Sequence, residues 1–204
     1  VEAEEVQKRE IINLKKALDF VDSVSSDPDI PIDESTIREI NRIILSGESD
    51  LLTPGQYRQG QSLVRIPMTR QIAYTPPNAG DVPAVMRQFG LWLRQTHDSV
   101  EAPLIAAIAH LRLVEIHPFW DGNGRTARAL TTLVLQRYGY TFNRMLSPER
   151  QFAWSLKDYF GKIGETVGTE YIDDRNLTVW IEFFLSTLCV EVITVSASLV
   201  DFRR

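Results

Sequence analysis

Apolar residues recur at intervals of three and four along most of the chain, and this pattern predicts a helical protein. Over residues 2–22, Val6, Ile11, Leu14, Leu18 and Val21 share one face. Glu2, Glu4 and Glu5 fall in the first turn, where the helix dipole favours acid. Ser25-Ser26-Asp27-Pro28-Asp29 stops that helix. Asp33 then reads as the N-cap of a second one, which carries Ile37, Ile40 and Ile44 and ends near Gly47. A third begins near Asp81 and turns Val82, Val85, Met86, Phe89, Trp92 and Leu93 inward. Residues 102–116 and about 124–138 are apolar on most sides, which predicts helices surrounded by others. Phe152, Leu156, Tyr159, Phe160 and Ile163 mark a sixth helix. Leu177, Trp180, Phe184, Leu188, Val192, Val195 and Leu199 mark a last, long one suited to packing or to an oligomer contact.

Residues 51–80 break the pattern. Pro54, Pro67, Pro76 and Pro77 punctuate them, and Val64-Arg65-Ile66 and Gln71-Ile72-Ala73-Tyr74 form short strand-like runs. We expect a small hairpin or flap there, and a loop-rich insert in a helical domain is more often functional than filler.

Composition narrows the class. The 204 residues hold 22 Lys+Arg and 27 Asp+Glu, for a net charge of −5. That balance argues against non-specific nucleic-acid binding, so no nucleic-acid partner is expected. No unbroken run of 18 apolar residues exists, so no membrane span is expected within this chain. Cys189 is the single cysteine, which forbids an internal disulfide, and it reads as a buried small hydrophobe. The chain starts at Val1 without a signal-peptide pattern, and the expectation is a cytoplasmic fragment of a longer protein.

The chemistry concentrates in His117-Pro118-Phe119-Trp120-Asp121-Gly122-Asn123-Gly124-Arg125-Thr126-Ala127-Arg128, between two helical segments. Pro118 ends the first helix near His117. Gly122-Asn123-Gly124 permits a tight turn at positive φ before the next helix begins. Free N–H groups at a helix start favour an anion, phosphate above all. Arg125 and Arg128 are spaced to converge on it. Asp121 offers one carboxylate, which suits Mg²⁺ completing its shell with phosphate oxygens and water. His117 can change protonation near neutral pH. A base, a metal carboxylate, an anion nest and two charge clamps are the parts that phosphoryl-type transfer from a nucleotide requires. Gly122-x-Gly124-x-x-Ala127 also fits a loose dinucleotide fingerprint, but a helix rather than a strand precedes it. His110 lies two turns before His117, about 10.5 Å away by helical rise, too far to relay protons directly.

The stretch resembles the signature of the Fic (filamentation induced by cAMP) family, H-P-F-x-(D/E)-G-N-G-R-x-x-R, at all nine fixed positions. Gly55-Gln56-Tyr57-Arg58, Tyr74-Thr75-Pro76-Pro77 and the apolar helix before the motif follow in the order such domains use, so the resemblance spans roughly residues 1–200. It implies a mostly α Fic fold of about seven to eight helices with a short β-hairpin flap beside the active-site loop. A single domain over 1–204 would divide into N-terminal helices (1–50), a flap region (51–80), a core holding the motif (81–140) and C-terminal helices (141–204).

The same resemblance implies a protein adenylyltransferase, which moves AMP from ATP to a Ser, Thr or Tyr hydroxyl of a protein, itself included. His117 would be the general base. Asp121 would hold Mg²⁺ between the α- and β-phosphates, and Gly122, Asn123 and Gly124 would form the anion hole. Arg125 and Arg128 would grip the β- and γ-phosphates. Tyr74, Thr75, Pro76 and Pro77 would lie on the flap and align an extended target segment by main-chain hydrogen bonds. Such domains commonly form homodimers. Many carry an inhibitory helix, (S/T)-x-x-x-E-(G/N), whose glutamate pairs with the second motif arginine, here Arg128. No Glu in this chain is followed by Gly or Asn, so the expectation is an inhibitory segment upstream of Val1. Two rivals stay open: a Fic-fold transferase using UTP or CDP-choline, and a non-enzymatic nucleotide-sensing module. The phosphotransferase branch departs from Gly-Asn-Gly-Arg towards Ala-Asn-Lys-Arg, which disfavours it here.

Overall fold

The computed structural model describes residues 2–48, 53–65, 71–96, 100–141 and 156–201. Seven α-helices and a two-stranded sheet are formed among them: α1 (Glu2–Ser26), α2 (Glu34–Ile44), β1 (Val64–Arg65), β2 (Ile72–Tyr74), α3 (Val82–Gln95), α4 (Ala102–Ile116), α5 (Asn123–Arg137), α6 (Leu156–Val167) and α7 (Thr178–Asp201). The mostly helical reading and the small antiparallel hairpin are both borne out, with Val64 opposite Tyr74.

The centre of the bundle is the α4–α5 pair, joined by the glycine-rich loop. Both helices are buried on most sides: Ile105, Ala106, Ala109, Leu111 and Leu113 on α4, and Ala127, Leu130, Leu133 and Val134 on α5. α1 and α2 cover α5, α3 lies against α2 and α4, and α7 covers the other side of α4. Asp33 caps α2 as expected, accepting from the N–H groups of Ser35 and Thr36. Trp180 of α7 is fully buried, and its indole N–H donates to Ala107 O at 2.7 Å.

Several faces depart from the periodic reading. On α1 the buried stripe is Asn13, Ala17, Val21 and Val24, whereas Val6 and Ile11 are exposed. The register turns on Asn13, a polar residue that is buried because its amide donates to the carbonyls of Ile44 (3.1 Å) and Ser46 (2.7 Å) past the end of α2. On α6, Tyr159 and Ile163 face in while Leu156 and Phe160 face out. Phe152 and Ile66 lie outside the described residues.

α7 is apolar over much of its surface: Trp180, Phe184 and Val195 are buried while Val190, Ile193 and Cys189 are exposed. The expectation of a buried Cys189 is therefore corrected, because it sits on the outward face. By length and composition alone Thr178–Ala197 could cross a membrane, so the exclusion drawn from unbroken apolar runs does not hold for this helix. Its inward residues nonetheless belong to the bundle core.

Candidate active site

The loop between α4 and α5 is shaped by two left-handed residues. His117 ends α4 at φ 50°, ψ 55°, and Gly122 opens α5 at φ 76°. Pro118 cannot continue a helix, so the chain turns at His117. At Gly122 glycine is required twice over: φ is positive, and an added Cβ would stand 3.0 Å from Asn41 Nδ2 and 3.3 Å from Leu45 Cδ2. Gly122→Ala is expected to lower the unfolding free energy by about 1–3 kcal/mol, read by urea denaturation, and to displace the helix start that follows.

Three side chains hold the loop from beneath. Asn123 is 3% exposed and staples the loop to itself: its Oδ1 accepts from Phe119 N–H at 3.0 Å and its Nδ2 donates to Phe119 O at 2.9 Å. Its amide is thus structural, and only its backbone N–H is available to an anion. Asn41 of α2 is fully buried and donates to Asp121 O (3.1 Å) and Thr126 Oγ1 (3.2 Å) while accepting from Gly55 N–H (3.0 Å). Arg58 is 1% exposed and has carbonyl acceptors: His117 O at 2.9 Å, Gly60 O at 3.0 Å and Pro77 O at 2.5 Å. Its own N–H donates to Pro118 O at 2.9 Å. Phe119 is buried against Tyr57, with ring centres 5.7 Å apart. Neither Asn41 nor Arg58 was singled out from sequence for such a role; for Arg58 the only signal was its place in Gly55-Gln56-Tyr57-Arg58.

On this platform the loop carries the predicted His117, Asp121, Arg125 and Arg128 around the start of α5. No side chain caps α5, and its first helical bond runs from Thr126 N–H to Gly122 O at 2.8 Å. The N–H groups of Asn123, Gly124 and Arg125 precede that bond and make a ready anion site. Arg125 lies among carboxylates: Glu48 at 3.2 Å, Glu10 at 3.3 Å and Asp121 at 3.5 Å. Arg128 reaches back over the loop, where a Cβ on Gly124 would stand 3.4 Å from its Nη1. Trp120, at the free position of the motif, is exposed and overlies Gly60.

Asp121 keeps its carboxylate 54% exposed at the mouth of this site, with Oδ1 accepting from Gly122 N–H at 2.6 Å. No group of three or more His, Cys, Asp or Glu side chains is placed to hold a metal by itself among the described residues. One hard oxygen donor beside a phosphate nest fits Mg²⁺ that arrives with a polyphosphate and keeps most of its shell from phosphate and water.

His117 is partly buried, and its Nδ1 faces Val114 O at 3.4 Å, which leaves Nε2 free of that contact and able to accept a proton. Burial pushes its pKa down from 6.5 to about 4; the Val114 carbonyl opposes this, the Arg58 charge adds to it, and Asp121 opposes it. The ring is therefore neutral, the form a base needs. Measured as kcat/KM, which reports the free domain, any His117-dependent rate should stay level from about pH 8 down to about pH 5 and fall only below that. An unperturbed imidazole would lose half its rate near 6.5, and a rate–pH profile separates the two.

The flap residues are placed differently from the expectation. Tyr74 is buried, and Thr75 spends both main-chain groups inside the chain, its N–H on Thr169 O (2.8 Å) and its carbonyl on Tyr171 N–H (3.1 Å). Pro76 O accepts from Gln61 at 3.1 Å, and Pro77 O from Arg58. These four residues anchor the base of the hairpin. Their main-chain groups are engaged, and the prolines have no N–H to offer a target.

A helical bundle that carries an uncapped, glycine-rich helix start, an imidazole and two arginines on one loop has the parts that suit an anion. The family model described as Fic/DOC family matches residues 31–135, and the chain belongs to that family. Among curated proteins it is similar to protein adenylyltransferase Fic of Drosophila yakuba, 37% identical over 136 residues, covering 66% of this chain and 26% of that protein. The chain thus spans about a quarter of the length of such relatives. Among solved structures, a Fic domain containing signaling protein from Bacteroides thetaiotaomicron superposes with a TM-score of 0.75 at 24% identity, covering 93% of this chain and 72% of that one. A Fic family protein from Desulfovibrio desulfuricans gives 0.74 at 22% identity, covering 96% of this chain and 54% of that one. Both carry the same fold.

Proposed function

We propose that this domain transfers AMP from ATP to a Ser, Thr or Tyr hydroxyl of a protein, releasing pyrophosphate. The observation that carries the reading is that one loop and the uncapped helix start after it carry His117, Asp121, Arg125 and Arg128 together. The 37% identity to a protein adenylyltransferase, Fic of Drosophila yakuba, supports it. In this reading His117 Nε2 takes the proton of the target hydroxyl as its oxygen attacks the α-phosphorus, and the bond from that phosphorus to the bridging oxygen breaks. The N–H groups at the start of α5 meet the charge that develops. Asp121 would hold Mg²⁺, which would supply charge neutralisation to the polyphosphate when bound. Arg128, over Gly124, and Arg125 grip the outer phosphates. Arg125 must exchange the carboxylates of Glu10 and Glu48 for phosphate to do so. The target strand meets the hairpin beyond Tyr74–Pro77, whose main-chain groups are already used.

The test is a donor panel. The chain is incubated with Mg²⁺ and ATP, UTP or CDP-choline, each labelled in the group it would transfer, and label fixed to protein is counted. Label from ATP supports the reading. Label from UTP or CDP-choline alone assigns a different donor. Nucleotide binding with no fixed label assigns a sensing module.

A further inference from the structure

One buried carboxylate has no part in this reaction: Glu115, in the last turn of α4 and two residues before His117. A carboxyl group in such a place needs close partners. Both of its oxygens have one. Oε1 accepts from Arg175 Nε at 3.2 Å, and Oε2 accepts from Arg112 Nη1 at 3.2 Å. Neither arginine stops there. Arg175 also donates to Glu170 O at 2.7 Å and to Thr166 O at 3.3 Å, and Arg112 donates to Asp173 O. Glu115 thereby gathers residues 168–177, the strap that joins α6 to α7, onto the end of α4.

The strap in turn holds the hairpin. Thr75, the residue after β2, donates to Thr169 O at 2.8 Å and accepts from Tyr171 N–H at 3.1 Å, in a parallel bridge opposite Glu170. The carbonyl that Arg175 bonds is therefore that of the residue facing Thr75. Apart from this bridge the strap has no helix or strand of its own, so its arginines are what fix its path. Two residues beyond Thr75, Pro77 O is held by Arg58, which also holds His117 O. The base of the hairpin is thus tied to the end of α4 at two points, through Arg58 and through Glu115 with the strap.

We propose that Glu115, acting through Arg175 and Arg112, is a positioning residue that fixes the hairpin base relative to His117, so that a target strand on the hairpin brings its hydroxyl to the imidazole. The inference rests on the transferase reading above for what the hairpin receives. Glu115→Gln keeps the shape and leaves one oxygen for two arginines. Arg175→Met cuts the same link from the strap, should Glu115→Gln fail to fold. The first measurement is amide hydrogen exchange without nucleotide. In either variant the N–H groups of Thr75 and Tyr171 should speed up about tenfold more than those of Leu130 and Leu133 in α5. The second is transfer from labelled ATP to the His117→Ala chain as acceptor. The KM for this acceptor should rise about fivefold while the KM for Mg²⁺-ATP stays within about twofold, a split that a general loss of folding does not produce. Arg175→Lys keeps the charge and should recover part of both effects. Exchange at Thr75 and Tyr171 that speeds up no more than in α5, or an acceptor KM that does not move, overturns the proposal. An unmutated chain that labels no acceptor counts against the transferase reading itself, and the exchange at Thr75 and Tyr171 still decides whether Glu115 holds the hairpin.

Discussion

With His117 replaced by alanine, label transferred from ATP to protein should fall by a factor of about 10²–10⁴ while the fold persists. The contrast with its neighbours makes this prediction sharp. The His117 side chain has one long contact, to Val114 O at 3.4 Å, whereas its backbone carbonyl is held by Arg58. Removing the imidazole therefore cuts no network. The left-handed backbone at φ 50° is shared by His and Ala, since both carry a Cβ. Thermal unfolding of His117→Ala should match the parent closely, and Mg²⁺-ATP should still bind. A variant that loses transfer only because it no longer folds would show that the ring has a structural duty instead.

Arg58→Met should cost nearly as much by a different route. The guanidinium is buried and bonded to carbonyls on three segments: the end of α4, its own loop and the base of the flap. Methionine fills the stem but leaves the carbonyls of His117, Gly60 and Pro77 unpaired. Relief of the buried charge offsets part of that loss. Hydrogen bonds to charged groups contribute about 1.5–3 kcal/mol each, so a net loss near 3 kcal/mol is expected in urea denaturation. Transfer should also drop about 100-fold, because releasing the His117 carbonyl lets the base drift. Arg58→Lys keeps the charge, reaches one carbonyl at a time and should fall between. An Arg58→Met chain with full transfer would show that the loop holds its shape without this tie.

The motif was legible in the sequence because its parts are contiguous. His117 to Arg128 occupy twelve positions, and local rules for proline, glycine and helix starts suffice to fold them. The Asp33 cap and the Ile37, Ile40 and Ile44 stripe were legible for the same reason. What escaped is non-local and polar. Asn41 serves a loop eighty residues away, and Arg58 serves a carbonyl fifty-nine residues on, where nothing in an arginine's neighbours marks it as buried. The α1 face slipped because Asn13 is buried by its partners at the end of α2, against its polarity. Cys189 escaped because it was read by residue type alone: it lies one position past Leu188, off the Trp180–Phe184–Val195 stripe that does face the core. The flap residues were recognised as a feature, but main-chain pairing between Thr75 and the Thr169–Tyr171 segment has no sequence signature.

The central claim is that the bond broken in the nucleotide is the one at the α-phosphorus. Two parallel reactions test it, one with label in the α-phosphate of ATP and one with label in the γ-phosphate, each with Mg²⁺ and run beside His117→Ala. The account predicts label on protein from the α-position only, lost with His117. Label from the γ-position would contradict it and make the domain a phosphotransferase.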